Sequence, residues 1–260
     1  MSGGGAAVPE GYARVAVHGV TAVALVPCAA AVRAALRRGT LYDYARAHPA
    51  RVELAGRAPA YAVPLPRTGT RVVVRHGWHG GLLAPVTGDR FLPPTRAPHE
   101  LRTSLRLAEA GVPTPQVVAY AVYDAPLGMR TSDVLTREVP DALDLGAALA
   151  AARDDEAKSA LLAATGVLLD ALADAEARHP DLNIKNVLLT PTASPLGFTA
   201  HVLDIDRVVM GSDRERVAEA NLARLERSIA KWRAAGRIDV SDRALTALRT
   251  ARPRFNAGAR

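Results

Sequence analysis

The stretch HPDLNIKNVLL (residues 179–189) decides how this chain is read. It places a carboxylate, Asp181, and an amide, Asn186, five residues apart, directly after a long helical pattern, and it runs into the apolar Val187-Leu188-Leu189. After the turn-rich PTASPLG (191–197), a second run, AHVLDIDR (200–207), carries Asp204. Two strands around a short loop make a hairpin, which gathers Asp181, Asn186 and Asp204 at one end. Phosphoryl transfer asks for such a set. One aspartate accepts or orients the attacking hydroxyl, while a second aspartate and an asparagine are hard oxygen ligands for Mg2+ on the phosphates of ATP. The pattern D-x-x-x-x-N is common by chance; its specificity comes from the order helix, loop, apolar strand, strand-borne aspartate.

Around this stretch the pattern is mostly helical from Pro140 onward. Residues 155–178 carry an apolar stripe through Leu161, Leu162, Leu168, Leu169 and Leu172, which predicts a buried amphipathic helix in spite of Gly166. A second helix is predicted over 213–234, striped by Ala218, Leu222, Leu225, Ile229 and Trp232. Its other faces hold Arg214, Arg216, Arg224, Arg227 and Lys231 and read as solvated surface. Upstream the period changes. Residues 51–78 read as three antiparallel strands with the turn RTGT at 67–70, and 116–123 and 132–139 as two more, closing a five-stranded sheet. A helix over 96–110 is inserted among them, with Pro98 in its first turn, Glu100 near its N-terminal end, and Gly111 and Pro113 as stops. The chain starts with a predicted hairpin, YARVAV and TAVALV around His18-Gly19, followed by a helix or helical pair over 29–48 broken at Gly39.

Composition narrows the classes. A chain of 260 residues with 49% hydrophobic and 23% charged residues matches an ordinary globular protein of one large domain or two lobes, and excludes disorder and a membrane bundle. The apolar stretch 15–32 is interrupted by His18, Gly19 and Pro27 and is too short for a span. The lone Cys28 permits no internal disulfide and suits a reducing cytoplasm. Aromatic residues at 4% provide no stacking platform for nucleic acid. The two histidines of HGWHGG (76–81) lack further ligands for a metal. The net charge of +7 is built almost wholly of arginine: only Lys158, Lys185 and Lys231 are lysines, and none precedes Lys158.

These residues resemble the protein-kinase-like superfamily, whose catalytic loop reads H-R-D-x-x-x-x-N and whose metal-binding aspartate opens D-F-G. Within it the chain is most similar to the lipopolysaccharide core kinases, especially the 3-deoxy-D-manno-octulosonic acid (Kdo) kinases. DLNIKNVLL and LDIDR resemble that family's D-L-N-x-x-N-I-L-L and I-D-F-D-R. VVVRHGWHGGLLAPVTGDRFL (72–92) resembles its L-R-H-Y-x-R-G-G segment, AGVPTPQVVAY (110–120) its G-L-P-V-P-x-P segment, and NLARLERSIAKW (221–232) its N-L-x-R-L-x-R-S-L-x-K helix. The likeness spans roughly residues 56–232.

The resemblance implies Asp181 as catalytic base or hydroxyl-orienting residue, and Asn186 and Asp204 as ligands of Mg2+. It implies nucleotide contacts from Arg75, which stands where kinases keep a phosphate-binding lysine, from Glu100 as its partner, and from Gly56 in AGRAPA, where a glycine-rich phosphate cover would lie. Glu138 and Val139, in TREVP (136–140), would hold adenine by their backbone. His179 is expected to support the loop. Departures are plain: Pro180 replaces the arginine of H-R-D, DID lacks the glycine of D-F-G, and no A-P-E segment follows, which fits an unregulated small-molecule or glycolipid kinase.

The implied fold is α+β and bilobal. An N-terminal hairpin and helical extension (1–50) is expected before an N-lobe (51–139) with a five-stranded antiparallel sheet and one αC-type helix, and a mainly helical C-lobe (140–260). The implied activity is ATP-dependent phosphorylation of a sugar hydroxyl of the lipopolysaccharide inner core, on Kdo of Kdo-lipid A. The partners would be a glycolipid or sugar acceptor and an anionic membrane surface, and not nucleic acid. The enzyme is then expected in the cytoplasm, peripheral on the inner membrane. A related kinase for heptose, another small molecule or protein, and a nucleotide-binding pseudokinase, are the rival readings.

Overall fold

In this computed structural model, residues 7–54, 58–78, 89–193 and 196–250 are described. The chain divides into two compact units, Met1–Arg102 with Gln116–Glu138, and Thr103–Pro115 with Val139–Arg260.

The first unit is built on one antiparallel sheet. β1 (Tyr12–Val17) and β2 (Val20–Leu25) form the opening hairpin, α1 (Ala29–Leu36) and α2 (Leu41–Ala47) follow, and β3 (Val52–Leu54), β4 (Ala60–Pro64) and β5 (Arg71–His76) make a meander. After α3 (Ala97–Glu109), within which the division into units falls, β6 (Val117–Asp124) and β7 (Arg130–Arg137) complete the sheet, in the order β1-β2-β6-β7-β5-β4-β3. The five expected strands are all in it, but the sheet has seven strands and not five. The opening hairpin joins the same sheet, β2 pairing β6 from Val20↔Tyr123 to Ala24↔Ala119. The physical reason is that β6 (VVAYAVYD) is apolar on both faces, and an unpaired apolar edge would be left open to other chains. Thr40 caps α2 by accepting from the Asp43 amide, after the break at Gly39. The two helices cover one face of the sheet, where Val32, Ala35 and Leu41 pack with Val63, Val72, Val74 and Leu135.

The second unit is mainly helical. β8 (Leu143–Asp144) leads into α4 (Leu145–Ala151), then α5 (Asp155–Asp174), β9 (Ala177–Arg178), β10 (Val187–Pro191), β11 (Phe198–Val202), β12 (Val209–Met210), α6 (Arg214–Ala234) and α7 (Asp242–Thr250). Leu162, Leu168 and Leu172 of α5 are buried with Leu225 and Ile229 of α6 and with Leu182, Ile184, Val187 and Val202. Two boundaries differ from expectation. α5 stops at Asp174, not 178: Glu176 takes a left-handed φ of 53°, and Ala177 and Arg178 pair with Met210 and Val209. The second strand of the hairpin stops at Val202, so Asp204 lies beyond its end, just ahead of the 3-10 turn Ile205–Arg207.

Candidate active site

Between β9 and β10, residues 179–186 form a loop held mostly by its own side chains. His179, 1% exposed, accepts the Asp181 amide at Nδ1 (3.2 Å) and donates from Nε2 to the Leu203 carbonyl (2.9 Å). These two bonds require one tautomer, with the proton on Nε2. Asn183 donates its side-chain amide to the Asp181 carbonyl (2.9 Å) and accepts the Lys185 amide (2.9 Å). Asn186 donates from Nδ2 to the same Asp181 carbonyl (3.0 Å). With Nδ2 donating, the amide oxygen of Asn186 is the atom that can act as an acceptor or metal ligand.

The hairpin sets the third carboxylate. β10 and β11 pair antiparallel from Pro191↔Phe198 to Val187↔Val202, and the Leu203 amide donates to the Asn186 carbonyl (2.9 Å). Asn186 thus lies opposite the residue that precedes Asp204. Asp204 itself has φ 57° and ψ 44°, a left-handed backbone that costs energy outside glycine, although aspartate tolerates it better than most residues. Asp181, Asn186 and Asp204 are therefore brought to one end of the hairpin, each by a different backbone device.

α6 grips this loop from below through one face. Asn221, fully buried, accepts the His179 amide (2.9 Å) and donates to the Ala177 carbonyl (3.0 Å). Ser228 accepts the Ile184 amide (3.1 Å). Arg224 donates from Nη2 to Asp181 Oδ1 (2.7 Å) and from Nε to the Pro180 carbonyl (3.3 Å). Sequence reasoning missed these three and read Arg224 as solvated surface. The readable signal was their spacing of three and four, which puts polar residues on the same side of the helix as the apolar stripe. The basic surface expected of this helix is also partly neutralised: Arg214 pairs with Asp170 and Asp174, and Arg233 with Asp242.

In the first unit, Arg75 of β5 is ion-paired with Glu100 of α3, whose side chain is only 7% exposed. Register places Val73 opposite Ala62 and Ala62 opposite Val52, so Val52, Leu54, Val73 and Arg75 share one face of the sheet, and Val52 and Leu54 are exposed on it. Glu138 accepts an ion pair from Arg71 and gives its amide to the Arg71 carbonyl (3.0 Å); Val139 begins the second unit's last segment. Gly56 lies outside the described residues, as does His79 of HGWHGG.

Next to Arg75 stands a buried polar hub. Asp133, 0% exposed, meets His76 Nδ1 (2.6 Å), the Tyr123 hydroxyl (2.8 Å) and the Tyr42 amide (2.9 Å), while His76 Nε2 faces Asp89 (3.1 Å). Burial lowers the His76 pKa, but the hydrogen bonds and charges of Asp133 and Asp89 outweigh it and hold the imidazole above its ordinary value. Burial beside Asp133 pushes the Tyr123 phenol far up.

Comparison with known proteins adds the lineage. The sequence model of the Lipopolysaccharide kinase (Kdo/WaaP) family matches residues 53–251. The chain is 34% identical over 168 residues to 3-deoxy-D-manno-octulosonic acid kinase of Actinobacillus succinogenes, covering 63% of this chain and 67% of the relative. It is 32% identical over 192 residues to the enzyme of that name from Xanthomonas oryzae pv. oryzae, covering 72% of each. The solved structure of WaaP in complex with acyl carrier protein superposes with a TM-score of 0.53 at 20% identity, over 85% of this chain and 84% of that one, a likeness of fold.

Proposed function

The chain belongs to the lipopolysaccharide kinase (Kdo/WaaP) family, and from that footing we propose that it transfers the γ-phosphoryl group of ATP to a hydroxyl of Kdo in the lipopolysaccharide inner core. The observation that carries this reading is the loop in which Asp181, Asn186 and Asp204 are fixed together by His179 and the β10–β11 hairpin.

In the proposed reaction the acceptor hydroxyl donates a hydrogen bond to Asp181. Its oxygen forms a bond to the γ-phosphorus as the bond to the bridging oxygen of ADP breaks, and the hydroxyl proton passes to the carboxylate. Positioning and charge stabilisation supply most of the rate. The donor set suits Mg2+: the amide oxygen of Asn186 and the carboxylate of Asp204 are hard oxygens. No group of three or more His, Cys, Asp or Glu residues suited to a metal occurs among the described residues. A small donor set is what Mg2+ shared with ATP phosphates requires, because the phosphates supply the other ligands. When bound, the ion neutralises phosphate charge.

Arg75, held by Glu100, is assigned to the phosphates in place of the lysine that the first 157 residues lack. Val52, Leu54 and Val73 on the same sheet face suit an adenine ring. Since the Glu138 amide bonds the Arg71 carbonyl, its carbonyl and the Val139 amide are assigned to the base. We assign the enzyme to the cytoplasmic surface of the inner membrane, where a glycolipid acceptor is presented. Among the described residues no helix is long and apolar enough to cross a membrane. The test is an acceptor panel with γ-labelled ATP: Kdo-lipid A takes the label, and heptose, aminoglycoside and protein acceptors do not. Label on one of those acceptors and none on Kdo-lipid A would move the assignment to another hydroxyl.

A further inference from the structure

Most backbone anchors of the 179–186 loop do not involve Arg224: His179, Asn183, Asn186, Asn221 and Ser228 bond its amides and the Asp181 carbonyl, and Arg224 adds only a long bond to the Pro180 carbonyl (3.3 Å). The side chain of Asp181 is a different matter. It is 29% exposed, and its one hydrogen bond among the described residues is the 2.7 Å bond to Arg224, made through Oδ1. Among the described residues, no donor reaches Oδ2. An aspartate with this exposure and no anchor would spread over several rotamers, and a displacement near 1 Å from the reactive geometry costs roughly 100-fold in rate.

Arg224 is equipped to prevent that spread. Its guanidinium bonds two points of the loop at once, Asp181 Oδ1 and the Pro180 carbonyl, so the planar fork fixes both its own rotamer and that of the carboxylate. Its stem rises from α6 between two other loop anchors, Asn221 and Ser228, which fixes where it starts. We infer that Arg224 is a positioning residue for phosphoryl transfer: it pins Asp181 by Oδ1 and reserves Oδ2 for the acceptor hydroxyl. The inference rests on the reading of Asp181 as the hydroxyl-orienting residue.

The experiment compares the full chain with Arg224→Ala, Arg224→Lys and Asp181→Ala in steady-state transfer from Mg-ATP to Kdo-lipid A, with melting temperatures measured alongside. Arg224→Ala loses roughly 100-fold in kcat with the KM for ATP unchanged, and added guanidinium ion at non-denaturing concentration restores part of the loss. Guanidinium restores nothing to Asp181→Ala. Arg224→Lys, which keeps a cation for Asp181 but not the fork to Pro180, falls between the wild type and Arg224→Ala, and it answers the question if Arg224→Ala does not fold. Wild-type kcat in Arg224→Ala or Arg224→Lys, beside an inactive Asp181→Ala, overturns the positioning role alone. An active Asp181→Ala overturns the reading of Asp181 on which it rests.

Discussion

The imidazole of His179 donates to the carbonyl of Leu203 at 2.9 Å, which ties the loop of Asp181 to the residue immediately before Asp204. With Nδ1 taken by the Asp181 amide, one buried side chain holds both halves of the proposed phosphoryl-transfer site in register. His179→Ala is expected to leave two partly buried backbone groups without these bonds, at up to about 1–3 kcal/mol per group. Urea denaturation should show that loss, and kcat should fall further than stability alone explains. A variant with wild-type kcat would show that the two halves are aligned by other means.

The pair Arg75–Glu100 yields a second expectation. Glu100 is nearly buried, and breaking a buried ion pair by removing one partner is costly, so Arg75→Ala is expected to perturb stability as well as nucleotide binding. Arg75→Lys is the cleaner variant: it keeps the charge and loses the planar fork. Its KM for ATP should rise or its kcat fall, and steady-state kinetics over a range of ATP concentrations checks it. Unchanged constants in Arg75→Lys and Arg75→Ala would move the phosphate contact elsewhere.

The hub around His76 sets a pH dependence. Its folded pKa lies above the unfolded value of about 6.5, so its contribution to stability is complete below that pH and is lost as pH rises through the folded pKa. Unfolding free energies between about pH 6 and about pH 9 should decline in the wild type, and decline less in His76→Gln. Equal slopes in the two proteins would remove His76 as the cause.

Asn221 gives a fourth. It is fully buried and bonds two backbone groups where β9 enters the loop, the Ala177 carbonyl and the His179 amide. Asn221→Leu, close in volume, leaves both unpaired, and about 1–3 kcal/mol for each should appear as a lowered midpoint in thermal or urea unfolding.

How much was legible beforehand follows from the range of each signal. The strands of the first unit were readable because alternation and turn residues are local, and the placing of Asp181 and Asn186 in one loop because a loop motif fixes its own spacing. That β2 would find β6 was not, since the pairing joins residues about a hundred positions apart and nothing local specifies it. Asp204 was expected at the end of a strand, but the left-handed turn after Val202 carries no residue signature beyond aspartate's tolerance of it. Arg224 was hidden by composition: among 30 arginines, one that turns inward resembles those that turn out.

The central claim is tested most directly by mass spectrometry of Kdo-lipid A before and after incubation with the enzyme and Mg-ATP, beside the same incubation with Asp181→Ala. The account predicts that the acceptor gains the mass of one phosphoryl group with the wild type, and stays unchanged with a folded Asp181→Ala protein. An acceptor left unphosphorylated by the wild type, or phosphorylated equally by both proteins, would contradict it.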